Sequence, residues 1–292
     1  MKIIDSHTHL WSCQQGRHNG NPVYGVKNGL SMFDGKLHQM MPPYMVNGKN
    51  TAEMLIANMN YAGVCGAVAV QEVMDGNQDS YLLSVKEKYA DRIKICSLYD
   101  ENEGFASDGF DGIKLCACKL KEKNLLKHLA PFEKANAEGK FISVDLADGN
   151  LQTSELAEIA REYPNLKIAI GHFGMVTRDK WKEQIKLARN KNVYIESGGI
   201  TWLFNREFYP YPSAVRAIKE AEEICGIEKL MWGSDYPRTM VEITYKMSFD
   251  FIIKSKELSD DEKEKFLYGN ARDFYGFADF DELPKILNML ED

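Results

Sequence analysis

No apolar run in these 292 residues approaches the roughly 18 needed to span a membrane. The opening Met1-Lys2-Ile3-Ile4-Asp5 lacks the apolar core of a signal peptide. A long basic block is missing as well. The 36 Lys and Arg are spread along the chain, and 43 Asp and Glu leave a net charge of −7. Phosphate backbones call for clustered cations, so neither nucleic acid nor membrane is an expected partner. There is no low-complexity tract, no interdomain linker and no repeat beyond a strand–helix unit, which points to one domain over residues 1–292. The six cysteines, at 13, 65, 96, 116, 118 and 225, are scattered. In a long chain without a secretion signal they read as reduced thiols, and the expected location is the cytoplasm.

What the sequence does contain is a rhythm. Short, largely apolar runs fall at Lys2–Ser6, Ala67–Gln71, Arg92–Leu98, Gly112–Leu115, Phe141–Leu146, Lys167–Ile170, Asn192–Glu196 and Lys229–Trp232. Consecutive apolar residues suit parallel strands covered on both sides. Between them lie helix-like stretches: Thr51–Ala62, Asp79–Tyr89, Lys121–Glu138, Ser154–Tyr163, Arg178–Lys191, Ser213–Cys225 and Val241–Lys256. Eight strand–helix alternations predict an α/β fold, a (β/α)8 TIM barrel, with a doubly wound open sheet as the alternative. The length suits one such barrel, which typically takes about 250 residues.

Two insertions interrupt the rhythm. Residues 13–50 leave the end of the first strand, the catalytic face of a barrel, and read as a lid; Ile200–Pro212 leaves the seventh and reads as a substrate wall. Both could equally be irregular surface loops. Residues 259–292 are expected to form a helical tail, with Ser259–Tyr275 closing the barrel and the rest peripheral.

The chemistry concentrates at strand ends. In Asp5-Ser6-His7-Thr8-His9 the two imidazoles are two residues apart on a strand and share a face, which is half of a transition-metal site. Gly233-Ser234-Asp235-Tyr236-Pro237 ends the eighth strand. Asp235 there can bind a metal and take a proton from water, or simply cap a turn. Gly171-His172-Phe173-Gly174 ends the sixth strand, with flanking glycines that let backbone approach closely. His172 can polarise a carbonyl, ligate a metal, or sit hydrogen-bonded in the core. Lys114 points inward on the fourth strand, either to a substrate carboxylate or to a neighbouring carboxylate inside the barrel. Glu72 and Glu196 end the second and seventh strands, where an acid can contact substrate or a ligand His. Arg238 can grip an anionic substrate group. Cys116 and Cys118 share the face of Lys114; His18 and His38 lie in the lid segment; His128 reads as helix surface.

These motifs, in this order, resemble the amidohydrolase superfamily, and within it the branch often called amidohydrolase family 2. That branch includes aminocarboxymuconate-semialdehyde decarboxylase, pyrone-dicarboxylate lactonase and sugar lactonases. The resemblance spans the chain. It includes Phe110-Asp-Gly-Ile-Lys-Leu, the Tyr163-Pro-Asn-Leu-Lys lead-in to Gly-His-Phe-Gly, and Tyr268-Gly-Asn-Ala-Arg-Asp-Phe-Tyr-Gly. It implies a distorted barrel in which His7 and His9 bind one divalent metal ion. Zinc is the first expectation and manganese the second. Asp235 is then a ligand and the general base, and His172 orients water or substrate.

The fifth strand departs from the family pattern. Where the family places a His, this chain has Asp145 in Val-Asp-Leu-Ala-Asp. A carboxylate is an accepted ligand for either ion, so Asp145 can stand in. A metal-free site is the alternative, as in some lactonases of the branch. Other branches bridge two metals with a carboxylated Lys at the place of Lys114, but the histidines for that are incomplete here. The preferred reading is a metal-dependent hydrolase of an amide, lactone or related bond in a small anionic substrate. Its rivals are a metal-independent lactonase, a metal-dependent non-oxidative decarboxylase and a non-catalytic binding barrel. Assembly as a homo-oligomer is left open.

Overall fold

A computed structural model describes residues 1–289. In chain order it has β1 (Ile4–His9), four strands inside the first insertion, β2 (Gln15–His18), β3 (Asn21–Gly25), β4 (Leu30–Phe33) and β5 (Lys36–Gln39), then β6 (Gly66–Val70), β7 (Ile93–Leu98), β8 (Gly112–Leu115), β9 (Phe141–Val144), β10 (Lys167–Ile170), β11 (Val193–Glu196) and β12 (Leu230–Met231). The eight apolar runs all become strands of one parallel sheet, ordered β1-β6-β7-β8-β9-β10-β11-β12. The edges meet. Ser6 donates its N–H to the Trp232 carbonyl at 2.9 Å, His9 to Tyr236 at 2.8 Å and Asp235 to His7 at 2.9 Å. A distorted (β/α)8 TIM barrel results, and its closure puts the His-x-His strand beside the Asp235 turn.

Among the described residues, ten helices accompany the strands: α1 (Ala52–Ala62), α2 (Asp79–Tyr89), α3 (Ala130–Glu138), α4 (Thr153–Glu162), α5 (Trp181–Lys186), α6 (Ile200–Leu203), α7 (Pro212–Cys225), α8 (Met247–Lys254), α9 (Asp260–Glu264) and α10 (Asn270–Tyr275). Their apolar faces, with Leu55, Leu82, Phe132, Ile159, Ile218 and Phe249, bury against Ile113, Ile142, Ile168 and Ile195 of the strands. Three expected helices are shorter than their periodic stretches. α3 waits for Pro131, whose fixed φ suits a first turn, and is preceded by a tight turn at Leu125–Lys127 capped by Asn124. α5 gives way to a tight turn at Leu187–Arg189, and α8 follows one at Arg238–Val241.

The first insertion is an antiparallel sheet in the order β2-β3-β4-β5, not an irregular loop. Its turns carry Asn19-Gly20, Asn28-Gly29 and Asp34-Gly35, with φ of 48° and 83°, 58° and 71°, and 47° and 74°. Paired positive φ is what tight hairpin turns need, and Asn-Gly and Asp-Gly supply it at little cost. The sheet lies against the turns that leave the barrel strands: β2 packs on Val73–Asp75, and Arg17 pairs with Asp100 after β7.

The helical tail expected over 259–292 is helical only in part. Ser259 opens α9 with a reciprocal capping box to Glu262, and α10 stops at Gly276, whose φ is 69°. Residues 277–289 follow without helix or strand, and residues 290–292 lie outside those described. Phe277 and Phe280 pack over Gly66, the first residue of β6, so the tail covers the barrel end opposite the His-x-His motif.

Candidate active site

The carboxyl end of β1 brings His7 and His9 side by side, 0% and 2% exposed, with their Nε2 atoms 3.1 Å apart. A register shift against β6 between Asp5 and Thr8 locally distorts the strand. Asp5, two residues before His7 and fully buried, accepts from the Ser234 backbone and hydroxyl and from the Tyr245 hydroxyl, and so ties β1 to the turn after β12. Burial nevertheless pushes its carboxyl up to about 7.

Asp235 completes this cluster. Its Oδ1 lies 2.9 Å from His9 Nε2 and 3.8 Å from His7 Nε2, and the Trp202 indole N–H donates to its Oδ2 at 2.8 Å. The carboxylate therefore serves the cluster rather than capping the turn that follows, whose N-cap receives no side-chain bond. Burial opposes ionisation of Asp235, but the His9 hydrogen bond and the charges of His9, Arg238 and His172 outweigh it and hold the carboxyl well below the usual range. Asp235 and His172 have φ of 60° and 52°. Such left-handed backbone costs a non-glycine residue about 1–2 kcal/mol, which the packed surroundings must offset.

Across the mouth stand Asp145, Lys114 and His172. The Lys114 ammonium, fully buried, donates to Asp145 Oδ1 at 2.6 Å and lies 3.3 Å from Ser143 Oγ. The sequence left Lys114 between a substrate carboxylate and an internal one; the structure gives it the internal one. His172 donates through Nδ1 to the Gly198 carbonyl at 2.8 Å, and its Nε2 is 3.8 Å from Asp145 Oδ2. Burial works against the Asp145 charge, but Lys114, then His172 and His7, hold its carboxyl well below the ordinary range. The same carboxylate lifts His172 against the opposing effect of burial. A Cβ on Gly171 would sit 2.1 Å from Asp145 Oδ1, so glycine there is what admits the fifth-strand carboxylate.

Arg238 does not offer a free cation. Its Nη2 is 2.9 Å from both oxygens of buried Asp75, its guanidinium carbon lies 5.9 Å from the centre of the Trp11 ring, and its Nη1 is 4.0 Å from Asp235 Oδ1. Asp75 also accepts from Gln14 at 2.8 Å and faces His9 Nδ1 at 3.7 Å. What remains is Nη1, buried with no hydrogen-bond partner. Asp75 was not found by sequence reasoning: it follows a strand by five residues and carries no motif. Trp202 was legible only as part of the wall segment.

A cavity of roughly 340 Å³ opens above these groups, lined among others by Glu72, Asp145, His172, Trp202, Asp235 and Arg238. Phe33 and Met40 reach it from the insertion, and half-buried Glu72 also borders a second hollow of roughly 650 Å³ with Lys119. His18 and His38 pack on Phe33 in the hairpins, away from the cluster. His128 is buried rather than on a helix surface, bonded to the Tyr99 hydroxyl at 2.8 Å.

The donor set fits a cation. One ligand atom each from His7, His9 and Asp235 lie within 4.8 Å of one another, and the same holds for His7, Asp145 and His172. His7 Nδ1 faces Glu196 Oε1 at 2.7 Å, while its Nε2 faces His9 and Asp235. Charge agrees. Four buried carboxylates, Asp75, Asp145, Asp235 and Glu196, surround the mouth with two buried or nearly buried cations, Lys114 and Arg238. The excess of buried carboxylates over buried cations is one that a bound cation offsets.

No helix among the described residues is long and apolar enough to cross a membrane. Residues 4–277 match the protein family described as Amidohydrolase. An uncharacterized protein of Sinorhizobium fredii is 26% identical over 145 residues, and the chain spans about half the length of this curated relative, 47%, using 46% of its own. Among solved structures, a zinc-bound amidohydrolase of Burkholderia multivorans superposes with a TM-score of 0.70 at 15% identity, covering 95% of this chain and 100% of that one. A probable 2-pyrone-4,6-dicarboxylic acid hydrolase of Acinetobacter baumannii gives 0.67 at 18% identity, with the same coverage. A 5-carboxyvanillate decarboxylase of Novosphingobium aromaticivorans, complexed with manganese, gives 0.53 at 15%, covering 76% and 79%. At these identities the structures speak for the fold. The family match, which runs from β1 to the tail, makes the chain a member of the amidohydrolase family of enzymes.

Proposed function

We propose that this protein is a hydrolase that opens a lactone, amide or related bond of a small substrate, with one divalent cation held by His7, His9 and Asp235. The observation that carries the reading is the convergence of His7 Nε2, His9 Nε2 and Asp235 Oδ1 beneath a cavity of roughly 340 Å³, a size suited to a small molecule. Zinc is the ion of choice, as in the Burkholderia structure, and manganese the second. A divalent cation supplies Lewis acidity there, polarising a carbonyl and acidifying water.

The chain's own groups do the rest. Asp235, ionised and oriented by Trp202, takes the proton from the attacking water and later passes it to the leaving group. His172, whose Nδ1–H is spent on Gly198 and whose imidazolium form the Asp145 carboxylate favours, donates from Nε2 to the developing oxyanion. Arg238 offers its buried Nη1 amino group. With its charge already met by Asp75, that group suits a neutral carbonyl or an oxyanion better than a resident carboxylate. Lys114 acts through Asp145, which lies 3.8 Å from His172 and serves as its partner or as a further ligand. Glu72 lines the cavity as a substrate contact.

The Lys114–Asp145 pair favours one second reading. A fifth-strand carboxylate whose charge is already balanced is a weaker metal donor than His, which supports a metal-independent lactonase. The test is turnover of lactones and amides by zinc-loaded, manganese-loaded and chelator-stripped protein, with carbon dioxide followed in parallel. Ring opening or amide cleavage that is lost on stripping, restored by zinc and free of carbon dioxide is the expected result. Undiminished activity after stripping supports the second reading, and carbon dioxide release identifies a decarboxylase instead.

A further inference from the structure

We infer that Glu196 is a positioning residue that fixes the proton of His7 on Nδ1 and so keeps Nε2 available as a metal donor; this rests on the metal-dependent reading above. The side chain ends β11 and is fully buried, an expensive place for a carboxylate. It has two partners. Oε1 lies 2.7 Å from His7 Nδ1, and Oε2 accepts the Gly198 backbone N–H at 2.6 Å.

Three strand ends make room for it. A Cβ on Gly171 would come within 2.8 Å of Oε1, and one on Gly198 or on Gly233 within 2.9 Å of Oε2. Glycines after β10, β11 and β12 thus open a recess for one carboxylate. A purely structural acid would not need to face the first imidazole of the motif.

The tautomer follows from the acceptors. When the side chain is the carboxylate, Oε2 already receives the Gly198 N–H and Oε1 can only accept. A neutral His7 ring facing this acceptor carries its single proton on Nδ1. Nε2 then points its lone pair at His9 and Asp235. Outer carboxylates of this kind typically contribute about 10–100-fold to metal affinity.

Glu196→Gln separates positioning from space filling. It keeps the shape but has one acceptor where the site needs two. If its oxygen accepts from Gly198, its amide N–H faces Nδ1 and drives the His7 proton to Nε2. Two measurements read this. Long-range nitrogen–proton correlation spectra of metal-free, histidine-labelled protein should show His7 as the Nδ1–H tautomer in the parent and shifted toward Nε2–H in Glu196→Gln. Zinc affinity by chelator competition should fall about 10–100-fold in the variant, and Glu196→Asp should recover part of the loss. An unchanged tautomer with unchanged zinc affinity overturns the inference while leaving the metal site intact. A parent that takes up no zinc overturns the metal-dependent reading, and this inference with it. If Glu196→Gln fails to fold, an Nε2–H tautomer in the metal-free parent overturns the inference by itself, and an Nδ1–H tautomer supports it.

Discussion

Lys114 and Asp145 form a 2.6 Å ion pair sealed inside the barrel, the Lys fully buried and the Asp 6% exposed. Asp145 stands where the family pattern places a metal-binding His, and here it is held by Lys114. Removing one partner strands the other in a low-dielectric site. Lys114→Met should destabilise the protein by about 3–5 kcal/mol, and adding Asp145→Leu should restore part of it. Denaturant unfolding of the two variants checks this. Equal stabilities for parent and Lys114→Met would show that the pair carries little of the fold.

Trp202 donates to Asp235 Oδ2 at 2.8 Å while its ring lines the cavity. Trp202→Phe keeps most of the ring and loses the N–H. A hydrogen bond to a charged group contributes about 1.5–3 kcal/mol, so turnover should fall roughly 10–100-fold with a smaller change in KM. A variant whose KM alone changes would limit Trp202 to shaping the wall.

Asp235→Asn is nearly isosteric and should leave the fold intact. It cannot accept a proton at neutral pH, so turnover should drop by a factor on the order of 10² to 10⁴. Steady-state kinetics with melting temperature and metal content as controls decide it. Near-parental turnover would remove Asp235 from the role of base.

The strand frame was plain in the sequence because parallel strands buried on both faces read as unbroken apolar runs, as in Gly112–Leu115 and Lys167–Ile170. His7, His9, His172 and Asp235 were legible for a related reason: each sits at a strand end beside a local motif, and closure of β1 on the Asp235 turn assembles them. Asp75 and the Trp202–Asp235 bond were not legible. They join segments 163 and 33 residues from their partners by three-dimensional proximity alone. The hairpins at Asn19-Gly20, Asn28-Gly29 and Asp34-Gly35 were written in the sequence, but a composition rich in Gly and Asn masked them as loop. The paired state of Lys114 could not be chosen over a substrate contact before the spacing of β8 and β9 was known.

Metal and pH are coupled through Glu196. Burial pushes its carboxyl from 4.5 up to about 7. An acid raised on folding contributes stability that is present below its unfolded value and lost as pH rises through the folded one, so metal-free protein should weaken between about pH 4.5 and 7. Asp145 and Asp235 are shifted the other way. Their contribution is present above the unfolded value and is lost only at lower pH, outside this window. A divalent cation offsets the buried negative charge, so zinc should raise the melting temperature more at about pH 7.5 than at about pH 5, where competing protons also weaken its binding. Thermal unfolding at both pH values tests this, and an equal or smaller zinc effect at the higher pH would contradict it.

The most direct test of the account is an anomalous difference map, collected at the zinc edge from crystals grown with zinc. The account predicts a single strong peak at the barrel mouth, in coordination range of His7 Nε2, His9 Nε2 and an Asp235 oxygen. A map without a peak there, from protein shown to be folded and zinc-supplied, would contradict it.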